Sequence, residues 1–409
     1  MSDININIWK SSQFRAYLAS TGFSGFALAM QQLLASWILI GILELPANEV
    51  GPIQALIGIP GIFLMLIGGA SADREDPRRL LMLCYFFAPV FPLFLVVMEL
   101  SGYFAVWSVV VWGLGIGTVQ ALSMPAQQAI LNRAAGAQVQ KGVTAATAIG
   151  FVVQVVGLGL AGQIDLVGVE VVLLMQGIAF AIAGWTLTLL EPVPATRPLV
   201  AGSAMQRIGE GLRATLGNEV ISRVLVINFA SSIFNAGSFM TVFPFIVKRI
   251  YEGDALILAA LMALFFSGAA LSNAMLLRFM PLARPGRVYL VAQYSRIIVL
   301  FLMFLGGPWW MLMLATLLWG LNMGVTTNLA RMIVQESSDA AYRGRILSVF
   351  SISMMGSAPV GAVVLGILIE QIGTLEALLP AMGVSFVLAS YGLLMTRIWQ
   401  YRSPQAAAV

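Results

Sequence analysis

Two kinds of residue in this 409-residue chain have the types and spacing to do chemistry. The first is a charged loop, "GGASADREDPRR", in which Gly69, Asp73, Arg74 and Arg78 stand close together, with a distant basic pair, Arg343 and Arg345, in "YRGRILSVFS". A carboxylate and a guanidinium form charge-assisted, often bidentate hydrogen bonds. Asp73 with Arg343 or Arg345 is therefore expected to act as a latch between two distant segments. Arg74, Arg78 and Arg79 read equally as determinants of membrane topology. The second kind is a set of polar and aromatic residues isolated in apolar runs: Gln31, Gln32, Trp112, Gln120 and Gln154, then Asn228, Phe234, Asn235, Gln293, Arg296, Trp319, Asn322 and Asn328. Polar side chains in such runs are costly and usually face a bundle interior. Taken singly, each amide reads first as an interhelical hydrogen bond worth about 0.6 to 2 kcal/mol and each Trp as apolar packing or an interface anchor; as a set around a central cavity they are candidates for substrate contact, with Gln31, Gln32, Asn235 and Arg296 foremost. Arg296, a permanent cation, suits an anionic group on a small molecule or snorkels to the interface.

Bond-making chemistry finds no residues to carry it. There is no histidine and one cysteine, Cys84, inside an apolar run, so neither a metal-ligand cluster nor a disulfide framework is read. No Gly-rich nucleotide loop is present, which excludes direct drive by ATP. No catalytic set, metal or cofactor is expected.

The elements that position these residues follow from composition. With 59% apolar and 10% charged residues and a mean hydropathy of +0.92, the chain lies outside the range of soluble domains. A membrane-crossing helix needs about 20 apolar residues. Twelve such runs are read, near Phe14–Leu43, Val50–Ala72, Leu80–Leu100, Phe104–Ala129, Gly142–Ile164, Val169–Leu190, Val224–Val247, Ala255–Leu277, Val288–Leu305, Trp309–Ile333, Ile346–Ile369 and Leu375–Ile398. They lack the strict alternation of barrel strands. The polar start, Ser2 to Lys10, carries no small-residue cleavage site, and no removable signal peptide is read.

The longest polar stretch, 191–223, divides the chain into an N-terminal six-helix bundle, 1–190, and a C-terminal one, 224–409. Within it Met205, Ile208, Leu212 and Leu216 fall at helical spacing, which predicts a short amphipathic helix on the membrane surface. Nearly all basic residues fall on one side of the membrane, so both termini are expected in the cytoplasm. The basic pI is then an effect of topology, and no nucleic-acid partner is implied. The segments 138–162 and 342–366 resemble each other, each running from a basic residue beside Gly into a Gly-rich half-span. Gly157 and Gly162, and Gly356, Pro359 and Gly361, are expected to allow close helix packing or to let the halves rock.

Tandem six-helix bundles with a central link, together with Gly69, Asp73, Arg74 and Arg78 after the second span, resemble the major facilitator superfamily. "FRAYLAS", "MPAQQAIL" and "YRGRILSVFS" are similar to its branch of enterobactin exporters and macrolide efflux pumps. Two departures stand out: Pro77 occupies a usually basic place, and Gly157-Leu158 replaces the antiporter-type Gly-Pro, while Ala358-Pro359 gives a related pattern in span eleven.

The resemblance implies an all-α membrane protein of the bacterial inner membrane, a monomer among lipids that works by alternating access. It would export an amphipathic small molecule such as a siderophore or drug, as an antiporter with protons as the candidate coupling ion. A passive facilitator, an importer of a small nutrient, or a non-transporting membrane sensor are the alternatives. Acidic residues map to span ends and loops, so coupling would fall to a peripheral acid such as Asp73 or Glu336, or to charge on the substrate, or be absent.

Overall fold

The computed structural model describes residues 9, 11–72, 76–192, 204–339 and 342–404, and among these it is helical, with no strand. Sixteen helices follow in order: α1 (Ser12–Trp37), α2 (Ala47–Ala72), α3 (Pro77–Phe87), α4 (Val90–Leu100), α5 (Val106–Ala135), α6 (Val139–Ala161), α7 (Ile164–Val167), α8 (Val169–Thr188), α9 (Ala204–Leu216), α10 (Glu219–Gly237), α11 (Phe243–Phe245), α12 (Ala255–Phe279), α13 (Pro285–Phe304), α14 (Trp309–Ser337), α15 (Arg343–Ile372) and α16 (Leu378–Leu394). Ten helical segments among the described residues are long and apolar enough to cross a membrane. With α2 and α16 they make the twelve spans of the expected fold. Span three is α3 plus α4, broken where Pro89 has no N–H to give the preceding turn.

Polar residues set the helix starts. The side chains of Ser11, Asp76, Asn218 and Asp254 accept from the backbone N–H of Phe14, Arg78, Ile221 and Ile257, at 3.3, 2.9, 3.1 and 2.8 Å. Each satisfies a first-turn donor that no helical carbonyl can reach.

The chain packs as two compact units, one of residues Met1–Leu43 and Leu56–Ala201, the other of Glu44–Ala55 and Gly202–Val409. In the first, α1 lies against α5, α6 and α8, while α3 packs on α5 and α8. In the second, α10 lies against α14, α15 and α16, α12 against α14, and α13 against α14 and α16. Span one ends in a π-helical turn, Ile38–Ile42, and span seven in another, Ile246–Ile250. Glu44 and Glu252 follow these turns, both at φ 50°, and then α2 and α12 begin. One constant offset relates the two series, so the internal repeat reaches backbone conformation as well as helix order.

Glycines set the closest approaches. A Cβ on Gly157 would stand 2.8 Å from the Phe26 carbonyl oxygen of α1. One on Gly361 of α15 would collide with the Ile233 carbonyl of α10, and Gly268 of α12 and Gly320 of α14 face each other's backbones in the same way. Gly162 is buried at the end of α6; Pro359 is buried inside α15 and Gly356 half-buried there. The amphipathic helix of the central stretch is α9, which packs along α15 with Gly211 against the backbone of Arg345.

Candidate functional site

Polar groups in the first unit converge on α1. Gln176 of α8, fully buried, accepts from Trp112 Nε1 of α5 at 3.1 Å. Its own Nε2 donates to the Ala27 carbonyl at 3.1 Å and to Gln31 Oε1 at 3.0 Å. One residue on, Gln32 accepts from Gln154 of α6 at 2.9 Å. Both α1 glutamines are half-buried. Thus Trp112 and Gln31 share one network through Gln176, Gln32 and Gln154 form a separate pair beside it on α1 and α6, and Gln120 lies exposed on α5. A second cluster joins Gln127 of α5 to the buried Tyr85 hydroxyl of α3 and to Ser24 of α1.

In the second unit the centre is Arg296 of α13, 3% exposed. Its guanidinium donates to Asn322 Oδ1 at 3.2 Å, to Thr326 Oγ1 at 3.4 Å and to Ser231 Oγ. Ser231 passes its own hydrogen to Gln293 at 3.0 Å, and Asn322 donates to the Ala292 carbonyl at 2.6 Å. Spans seven, nine and ten are thereby tied through neutral oxygens. Away from this network, Trp319 Nε1 of α14 donates to Asn235 Oδ1 of α10 at 2.6 Å. The Trp319 ring also meets Phe239, Phe243 and Phe265 edge-on, with centroids 5.8, 5.7 and 5.4 Å away. Phe234 is half-buried on α10; Asn228 donates to Met354 Sδ at 2.9 Å, and Asn328 to Asn273 and to the Gly324 carbonyl.

Of the charged set, Asp73 and Arg74 lie outside the described residues, and Gly69 is placed in α2. Arg78 caps the end of α8, donating to the Leu187 and Thr188 carbonyls at 2.9 and 3.0 Å, where the helix dipole favours a cation. Arg343 reaches the Ser338 carbonyl at 3.5 Å. Arg345 pairs with Glu210 of α9 at 2.9 Å and lies over the Tyr342 ring.

Gln176, Gln127, Tyr85, Ser24, Ser231, Thr326, the Phe239, Phe243 and Phe265 rings and Glu210 are the members that reading the sequence does not single out. Gln176 alone carried a usable signal, an amide in mid-span with no reason to face lipid.

A family model described as transmembrane secretion effector matches residues 8–407. Among solved structures, the nucleoside transporter NupG is similar at 15% identity and a TM-score of 0.74, over 95% of this chain and 99% of that one. A bacterial homolog of the human lysosomal transporter Spinster gives 12% and 0.72, over 96% and 98%. A POT family transporter in complex with 5-aminolevulinic acid gives 11% and 0.74, over 94% and 96%. At these identities the likeness shows the fold alone. A search of curated proteins finds no match.

Proposed function

The chain belongs to the transmembrane secretion effector family, a membrane transporter of the major facilitator type, and from that premise we propose that it exports an amphipathic small molecule such as a siderophore or drug. It would sit in the bacterial inner membrane with both termini in the cytoplasm and work as a monomer by alternating access. The observation that carries the substrate class is the Asn235 amide, held by Trp319 beside the Phe239, Phe243 and Phe265 rings. Asn235 and Phe239 are half-buried, with Trp319, Phe243 and Phe265 buried behind them; a polar amide beside an accessible ring suits a molecule with one apolar and one polar end. Export is supported by the family's description and by the resemblance to enterobactin exporters and macrolide pumps.

In this proposal gating falls to the charged set of Gly69, Asp73, Arg74, Arg78, Arg343 and Arg345, and substrate contacts to Gln31, Gln32 and Asn235. Arg296, enclosed by Ser231, Asn322 and Thr326, organises spans seven, nine and ten. Among the described residues every Asp and Glu keeps some exposure. That supports a second reading, a facilitator without proton coupling.

Counterflow in proteoliposomes, run on a panel of siderophores and drugs with and without an imposed pH gradient, tests both readings. Gradient-driven, saturable movement is the result expected of the exporter. Saturable movement indifferent to the gradient supports the facilitator, and movement of nothing on the panel counts against both.

A further inference from the structure

The nitrogen and oxygen of a side-chain amide are nearly alike in shape, so its orientation is fixed only by what surrounds it. In two places here the surroundings permit one answer. The Trp112 indole can only donate, and it meets Gln176 at 3.1 Å; the Ala27 carbonyl can only accept, and it meets the other end of Gln176 at 3.1 Å. Gln176 therefore presents N–H to Gln31, 3.0 Å away, and Gln31 must answer with its oxygen. Its amide nitrogen carries no further hydrogen bond among the described residues, and the half-buried side chain is left with two N–H donors. In the second unit the Trp319 indole claims the Asn235 oxygen at 2.6 Å and leaves Asn235, also half-buried, with the same two donors.

The two indoles belong to an internal repeat, and the amides they act on lie about one helical turn out of its register. Trp112 on span four and Trp319 on span ten stand 207 residues apart, as Ser11 and Asn218 do, and Glu44 and Glu252 stand 208 apart, whereas Gln31 and Asn235 stand 204 apart. Each indole acts, directly or through Gln176, on the amide of span one or its counterpart, span seven. The Gln32–Gln154 pair lacks such an anchor: either amide can turn if the other turns with it, so that pair adapts to a donor or an acceptor.

We infer that each unit by itself presents N–H donors to the transported molecule, which is therefore recognised through acceptor oxygens, of a carboxylate, phosphate or carbonyl, and that Trp112 and Gln176 in the first unit and Trp319 in the second are positioning residues that fix this polarity. The inference rests on the transporter reading of the chain and deepens it. A molecule whose polar end is an ammonium brings only donors to donors, leaving groups on both sides unpaired.

The test has one arm independent of any ligand. In ultraviolet resonance Raman of the purified protein in lipid nanodiscs, the indole ring modes report hydrogen bonding at Nε1. Trp112→Phe and Trp319→Phe are each expected to remove a strongly hydrogen-bonded indole signal, and Gln176→Leu, which keeps Trp112, to convert one to the unbonded form. Loss of an unbonded signal instead would overturn the inference whatever the chain carries.

The second arm compares binding of two probes on one apolar skeleton, 2-naphthoate and 2-naphthylmethylammonium. The native protein is expected to hold the carboxylate about tenfold more tightly, the scale of one hydrogen bond to a charged group. Gln31→Glu combined with Asn235→Asp should invert the order, and Gln31→Leu should reduce it. Equal binding of the two probes, or preference for the ammonium, overturns the inference. A chain that transports while preferring the ammonium removes the inference alone, whereas one that transports nothing removes the reading beneath it and leaves the Raman result standing.

Discussion

Glu210 of α9 meets Arg345 of α15 at 2.9 Å, so the helix of the central stretch is fastened to the very residue that the charged loop was expected to engage. Both side chains are about one-third exposed. Such a pair contributes on the order of 0 to 1 kcal/mol, enough to bias a segment and too little to stabilise the whole. Glu210→Gln is therefore expected to leave the melting temperature nearly unchanged while backbone amides of α9 exchange faster with deuterium. Unaltered exchange in α9 would mean that the packing of Gly211 and Ala214 holds it without the ion pair.

Arg296 carries its charge into an interior where three neutral oxygens receive it and, among the described residues, no carboxylate pairs with it. Such a charge bears a desolvation cost of several kcal/mol that hydroxyl and amide partners only partly offset. Removing the charge while keeping the volume should then cost little. Arg296→Met is expected to retain or raise thermal stability, whereas Arg296→Ala, which also opens a cavity, should lose about 2 to 4 kcal/mol. Both should lower transport, because Ser231 and Asn322 lose the group that orients them. Thermal unfolding in detergent beside uptake in proteoliposomes checks the pair. Equal destabilisation by the two substitutions would show that the guanidinium stabilises the bundle on its own account.

Much of the fold is legible in the sequence because the bilayer allows so few solutions: apolar runs must be helices, although the helices capped by Ser11 and Asn218 start at Ser12 and Glu219, ahead of the apolar runs read from Phe14 and Val224. The π-helical turns before Glu44 and Glu252 are not legible, since they insert no characteristic residue and depend on how spans one and seven pack. The candidate site divides similarly. Gln31 and Gln32 stand out as polar groups in an apolar run, but the orientation of Gln31 rests on Trp112 and Ala27 acting through Gln176, and Gln32 finds its partner in Gln154, neighbours that only the folded bundle brings near. Phe239, Phe243 and Phe265 look in sequence like any lipid-facing ring. The Arg345 partner stayed hidden because α9 had to return along α15 before Glu210 could reach it.

Two glycines of one helix offer the sharpest check on packing. Gly157 and Gly159 lie two residues apart in α6, so they face different directions along it. A Cβ on Gly157 would stand 2.8 Å from both the Phe26 carbonyl oxygen and the Ala29 Cβ of α1, atoms of a packed backbone that cannot give by much. A Cβ on Gly159 meets nothing within 4 Å. Gly157→Ala must separate α1 from α6 and should cost about 1 to 3 kcal/mol, the usual range for overpacking. Gly159→Ala gains helix propensity of up to about 1 kcal/mol and strains nothing. The two variants, compared by thermal unfolding in the same detergent, are expected to move in opposite directions. Gly157→Ala should also disturb the Gln32–Gln154 hydrogen bond, because those residues lie on the same pair of helices, one turn from the contact. If both substitutions proved neutral, the close approach of α1 and α6 would not depend on the missing side chain, and the glycine-rich half of span five would need another explanation.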